Sequence, residues 1–217
     1  MAARQRQTYG EEVANVLTHG AGMLFGMTAI IVLMRAAIRS GNPWAIGSFA
    51  VYAVCMTLSY VTSTFYHAST HARQKRLLRR FDHGAIYLHI AGTYTPFTLL
   101  ALRQEGYWGW SLFAVIWIAA VVGVWLSFRK MRKKDHLKTV CYLAMGWVVI
   151  IAFKPLLHVF RETGSMDVLY WLIGGGLFYT VGCLFFFLDK YKYMHPVWHF
   201  FVLGGSICHF ISIYLLV

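Results

Sequence analysis

His195 and His199 stand four residues apart, the spacing that brings two side chains onto one face of a helix. Ser63 and His67 repeat that spacing, and Asp82 follows further along the chain. Two imidazoles on one helix plus His67 make the donor set of an open zinc site, with the fourth position left to water. Bound water at such a site ionises near neutral pH and a nearby carbonyl is polarised, which is the chemistry of hydrolysis. Asp82 is the expected partner of that water, as an acid–base group, an outer-shell residue or a fourth ligand. Ser63, one turn deeper than His67, is expected to orient the site or to donate to a developing oxyanion. No cysteine has suitable spacing at these depths, so zinc is favoured. Iron, nickel and copper stay open on imidazole ligation alone.

These residues can meet only if the elements that carry them end at one place. Of 217 residues, 59% are hydrophobic and 13% charged, against about 25% charged in soluble domains. A helical span needs about 20 mostly apolar residues, and seven such stretches are legible, near 13–38, 44–66, 82–102, 108–128, 139–157, 168–188 and 196–216. They use most of the chain, so the expectation is a single all-α membrane domain over 1–217, a seven-transmembrane helix bundle. Isolated strands could not satisfy their backbone in lipid.

Charge orients the bundle. Placing the N-terminus on one side groups 15 of the 20 Lys and Arg there: Arg4 and Arg6, the cations of 73–80 and of 129–138, then Lys190 and Lys192. The positive-inside rule then puts the N-terminus in the cytoplasm and the C-terminus outside. The net charge of +12 is concentrated in two short juxtamembrane loops. Such clusters set topology and meet anionic headgroups, so the partners expected are membrane lipids and not nucleic acid. Cys55, Cys141, Cys183 and Cys208 all fall within spans, without a CxxC pair. They are expected as small buried hydrophobes and not as disulfides. The first span is too long for a cleaved signal and is expected to be an uncleaved anchor.

With that topology, the second span delivers Ser63 and His67 to the cytoplasmic leaflet, the third begins there at Asp82, and the last begins there at His195. Their depths come from the Lys and Arg pattern, independently of the histidines. Intramembrane ionisable residues are costly and mark function. The plainer alternatives are interfacial solvated histidines and an Asp82 that merely caps its helix. Glu11, Asn15 and His19 form an i, i+4, i+8 stripe expected to pack beside the site, with Glu12 turned to the headgroups. His71 and His136 are expected to be solvated. His19, His89 and His209 are expected to make interhelical hydrogen bonds. The glycines at 174–176 and 182 are expected to mark close helix approach in the sixth span.

The same residues carry a family resemblance. Glu11-x-x-x-Asn15-x-x-x-His19, Ser63-x-x-x-His67, Phe81-Asp82-His83-Gly84, Ala91-Gly92-Thr93-Tyr94-Thr95-Pro96 and His195-Pro196-Val197-Trp198-His199 resemble the bacterial hemolysin III proteins, within the progestin and adipoQ receptor (PAQR) family. The likeness extends over nearly the whole chain. It implies a seven-helix bundle with its N-terminus inside and zinc held by His67, His195 and His199, with Asp82 and Ser63 beside it. It also implies a multi-pass protein of the bacterial inner membrane. The wider superfamily includes ceramidases that cleave lipid amides. The chain lacks the long N-terminal region of the adiponectin receptors, so hormone binding does not carry over. The expected function is a zinc-dependent hydrolase of a lipid amide or ester, its substrate a membrane lipid. The alternatives are a receptor-like sensor with structural zinc and a cytolysin, although no residue pattern explains a pore.

Overall fold

A computed structural model describes residues 7–129 and 135–217. Arg4, Arg6, Lys130, Arg132, Lys133 and Lys134 of the charge pattern lie outside it, as does the side chain of His136. The described residues are helical throughout, without a strand: α1 (Tyr9–Ser40), α2 (Pro43–Ala68), α3 (Ala72–Pro96), α4 (Trp108–Phe128), α5 (Asp135–Trp147), α6 (Phe153–Glu162), α7 (Met166–Phe187) and α8 (Met194–Tyr214). Six helical segments are long and apolar enough to cross a membrane, counting 137–162 as one. The third expected span is not among them, and its helix shows why. It starts at Ala72, ten residues before the apolar run, so the basic stretch 73–80 is helix and not the loop expected. Arg, Lys and Leu are good helix formers, and no Gly or Pro interrupts them before Gly84.

Local chemistry sets the other ends. Thr8 caps α1 in a reciprocal capping box with Glu11, which satisfies two orphan donors of the first turn. Gly41 closes α1 at φ 65°, a left-handed position that glycine adopts without penalty. Asn42 then caps α2, and Pro43 starts it, where a missing N–H costs nothing.

The surface is apolar, unlike that of a soluble bundle. On α1 the exposed side chains include Leu17, Leu24, Ile31 and Ile38, while Glu11, Asn15 and His19 are buried. An apolar exterior is what lipid selects, and the buried polar residues of α1 are confined to its first turns. α2 is the central helix: Phe49, Tyr52, Met56 and Tyr60 are fully buried on the face that also carries Ser63 and His67. It packs against α1 on one side and α3 on the other. Gly22 and Gly26 allow the α1–α2 approach, since a Cβ at Gly22 would overlap the Tyr60 ring and one at Gly26 would press on Thr57. Small residues at such crossings are the usual means of close packing in membranes. The expected close approach in the sixth span holds at Gly175, against His209, and at Gly182, against Phe201. Gly174 faces open space. Among the cysteines Cys55, Cys183 and Cys208 are buried and free, whereas Cys141 is exposed.

The fifth expected span is broken. α5 gives way to a 3₁₀ turn at Val148–Ala152 before α6 resumes. Pro155 has no N–H for the carbonyl of Ile151 and disfavours helix in the residue before it. Tyr94 of α3 splints the break: its hydroxyl donates to the Gly146 carbonyl at 2.7 Å and accepts from the Val149 N–H at 2.8 Å.

Candidate metal centre

His67 comes from the last turn of α2, His195 and His199 from the first turns of α8, and all three are buried. Each offers a ring nitrogen, and the three nitrogens lie within 4.8 Å of one another. The rings stand 4.6 to 5.3 Å apart between centroids. Expectation and structure agree on this grouping.

The outer partners determine which nitrogen faces inward. His67 Nδ1 is 2.7 Å from Glu12 Oε2. A carboxylate only accepts, so Nδ1 carries the proton and Nε2 keeps its lone pair. Thr18 Oγ1 donates to the carbonyls of Ala14 and Asn15, and so it accepts from His199 Nδ1 at 3.3 Å. This leaves His199 Nε2 basic as well. Among the described residues neither Nε2 has a hydrogen-bond partner, although both are buried. Buried polar atoms in folded proteins are usually paired. Two lone pairs converging in a dry pocket with carboxylate and hydroxyl groups behind them suit a divalent metal with imidazole preference.

Glu12 is the residue the sequence reading misplaced. It does not face headgroups. It bridges His67 and Lys75, with Lys75 Nζ donating to Oε1 at 2.7 Å. Lys75 therefore does more than mark a membrane side. Spacing alone does not single out Glu12, because Glu11 at i, i+4 and Glu12 at i, i+3 both share a face with Asn15. The Asn15 amide lies 3.3 Å from the same His67 nitrogen. Glu11 turns away from the histidines: besides its cap on Thr8, its Oε1 accepts the backbone N–H of Tyr193 at 3.0 Å. Tyr193 has φ 63°, a conformation costing an L-residue about 1–2 kcal/mol. Glu11 thereby holds the chain in the turn that delivers His195. His19 stacks on His199 with centroids 3.5 Å apart.

Asp82 sits within α3, whose cap is His71, so helix capping does not account for it. Ser63 stands beside the Asp82 carboxylate, and the His67 ring, Arg79 and Lys138 are within electrostatic range of it. Beyond Asp82 opens a cavity of about 320 Å³ whose lining runs from Asp82, His19 and Trp198 to Leu102, Leu112 and Leu156. Trp198 is also packed on both His195 and His199. Asp82 and Leu102 are twenty residues apart, on the order of 30 Å of helix. The space is thus long, narrow and almost wholly apolar.

Residues 7–210 match the haemolysin-III-related family. The chain is 42% identical to Hemolysin-3 of Bacillus cereus, covering 97% of this chain and 93% of that protein. It is 40% identical to the Hemolysin-3 homolog of Bacillus subtilis (strain 168), covering 95% and 94%. The human monocyte to macrophage differentiation factor is 28% identical over 97% of this chain and 86% of its own length. This multi-pass membrane chain belongs to the haemolysin-III-related family, within the PAQR group.

Proposed function

We propose that the chain is a zinc-dependent hydrolase of a lipid amide or ester, with seven spans, a cytoplasmic N-terminus and an inner-membrane location. The observation that carries this reading is the abutment of two features. The His67, His195 and His199 cluster borders a largely apolar cavity through Asp82, His19 and Trp198, which line it, the last two packed on the cluster. His67, His195 and His199 would hold the zinc, which supplies an acidified water and a Lewis acid for the scissile carbonyl. Asp82 takes the proton of the attacking water and returns it to the leaving nitrogen or oxygen. Ser63 keeps the carboxylate turned toward that proton through its hydrogen bond. The cavity holds the acyl chain and excludes water around the scissile group. For the orientation, Lys75 at the start of α3 is on the same side as Glu12 and the α2 terminus, in keeping with a cation-rich cytoplasmic face.

The test is turnover by the purified chain against a panel of lipid amides and esters in nanodiscs, with and without a zinc chelator. Chelator-sensitive release of a free acyl chain is expected. One observation favours a second reading, a receptor-like sensor with structural zinc: the histidine cluster joins α2 to α8, and His19 of α1 stacks on it. Under that reading chelation lowers the melting temperature while no lipid is cleaved.

Glu12 gives a separate prediction. Glu12→Gln removes the charge that fixes the His67 tautomer and releases Lys75. Loss of such an outer carboxylate weakens metal binding by about 10–100-fold. Titration against a zinc-buffered indicator is expected to show that loss with the helical content unchanged.

A further inference from the structure

Halfway along the cavity its apolar lining is interrupted. His89 of α3, Tyr179 of α7 and His209 of α8 all line it. The Tyr179 ring neighbours both histidines, with centroids 6.3 Å from His89 and 5.4 Å from His209. The sequence reading assigned both histidines to interhelical hydrogen bonds. That holds only in part. His209 Nε2 lies 3.2 Å from the Leu172 carbonyl oxygen. A carbonyl only accepts, so Nε2 carries the proton and Nδ1 is a bare acceptor. Nδ1 has no hydrogen-bond partner among the described residues, and neither has His89 Nε2. The two residues are 8% and 6% exposed, so bulk water does not serve them. The tyrosines nearby do not serve them either: the Tyr179 and Tyr60 hydroxyls are both committed to Ser206 Oγ, at 2.8 and 2.7 Å. The site is built for the His209 ring, because a Cβ on Gly175 would overlap it.

An unpaired polar atom in a membrane interior costs several kcal/mol if nothing meets it. What meets these two atoms must include a donor, because His209 Nδ1 can only accept. A hydroxyl does so and offers its own oxygen to His89. A keto group offers no donor. We propose that His89 and His209 form a recognition point for a hydroxyl borne part-way along an acyl chain, so that the cavity selects hydroxylated over plain fatty chains. This assignment rests on the acyl-chain reading of the cavity. His209 is ten residues beyond His199, and His89 seven beyond Asp82. The hydroxyl therefore lies about 10–15 Å from the metal centre at 1.5 Å per residue, in the middle of a long chain and not at its head.

Ricinoleic acid is oleic acid with one mid-chain hydroxyl, which makes the two a matched pair. The full chain in nanodiscs is titrated with each, in competition with a fluorescent fatty acid. Ricinoleic acid is expected to bind about tenfold tighter, the value of one buried hydrogen bond. The preference ratio is expected to fall below about threefold in His89→Phe or His209→Gln and to vanish in the double variant. Equal affinity of the wild-type chain for the two acids overturns this assignment alone and means the histidines are met by internal water. An undiminished preference in the double variant also overturns it. Failure of both acids to compete overturns it together with the acyl-chain reading.

Discussion

Replacing His67 or His199 with alanine is expected to strip the chain of zinc. The wild-type protein, purified from zinc-supplemented cells and dialysed against a zinc buffer, is expected to retain about one ion per chain, the stoichiometry of a single three-histidine site. Loss of an outer partner weakens such sites by about 10–100-fold, so loss of a ligand is expected to cost more than about a hundredfold. His67 and His199 are the stringent choices because their Nδ1 atoms are already committed, to Glu12 and Thr18. Among the described residues each keeps one ring nitrogen, Nε2, without a hydrogen-bond partner. His158→Ala is the control, since that exposed histidine lies in α6, away from the centre. Mass spectrometry for metal content reads the result. Equal zinc in all four proteins would remove the metal centre and, with it, the proposed chemistry.

The three histidines were legible because two one-dimensional signals agreed. Helical spacing paired His195 with His199, and the Lys and Arg pattern put His67 at the same depth. Depth and face are properties a helix carries in its sequence. The outer partners were not legible for the complementary reason. Glu11 and Glu12 are adjacent, and which one reaches α2 depends on how α1 is rotated in the bundle. That rotation follows from contacts at Gly22 and Gly26 with α2, which no single helix encodes. The same holds for Lys75. As a charge it reads as a topology marker, and only the helical start of α3 at Ala72 brings it to Glu12.

The break between α5 and α6 is an intermediate case. Pro155 was a visible signal against a continuous fifth helix. What stabilises the broken form is the Tyr94 hydroxyl, which comes from a different helix and supplies what the interrupted backbone lacks. Among the described residues the break also lines the cavity through Trp147, Val149 and Ile150. A continuous helix would present a different wall, so a feature only half legible in sequence shapes the cavity.

Asp82→Asn is expected to separate metal binding from chemistry. The substitution keeps the size of the side chain and its capacity to accept from Ser63, so the packing around α3 stays the same. It removes the basic oxygen. General acid–base groups contribute about 10²–10⁴-fold, and the variant is expected to lose turnover of the lipid amide or ester by that factor while retaining its zinc. Ser63→Ala is expected to lose less, about tenfold, because it removes one hydrogen bond to the base and not the base itself. A drop in zinc content parallel to the drop in turnover would make Asp82 a ligand. Undiminished turnover would remove it from the reaction. The outcome bears on the whole site, because Asp82 stands beside Ser63 and the His67 ring, with Arg79 and Lys138 offsetting its charge. It is not a cap, since α3 starts ten residues earlier at Ala72. Among the described residues its hydrogen bond is to a serine one turn from a candidate ligand. An acid that lines a largely apolar cavity beside a histidine cluster is costly to keep, and turnover by the variant tells whether the proposed chemistry accounts for that cost.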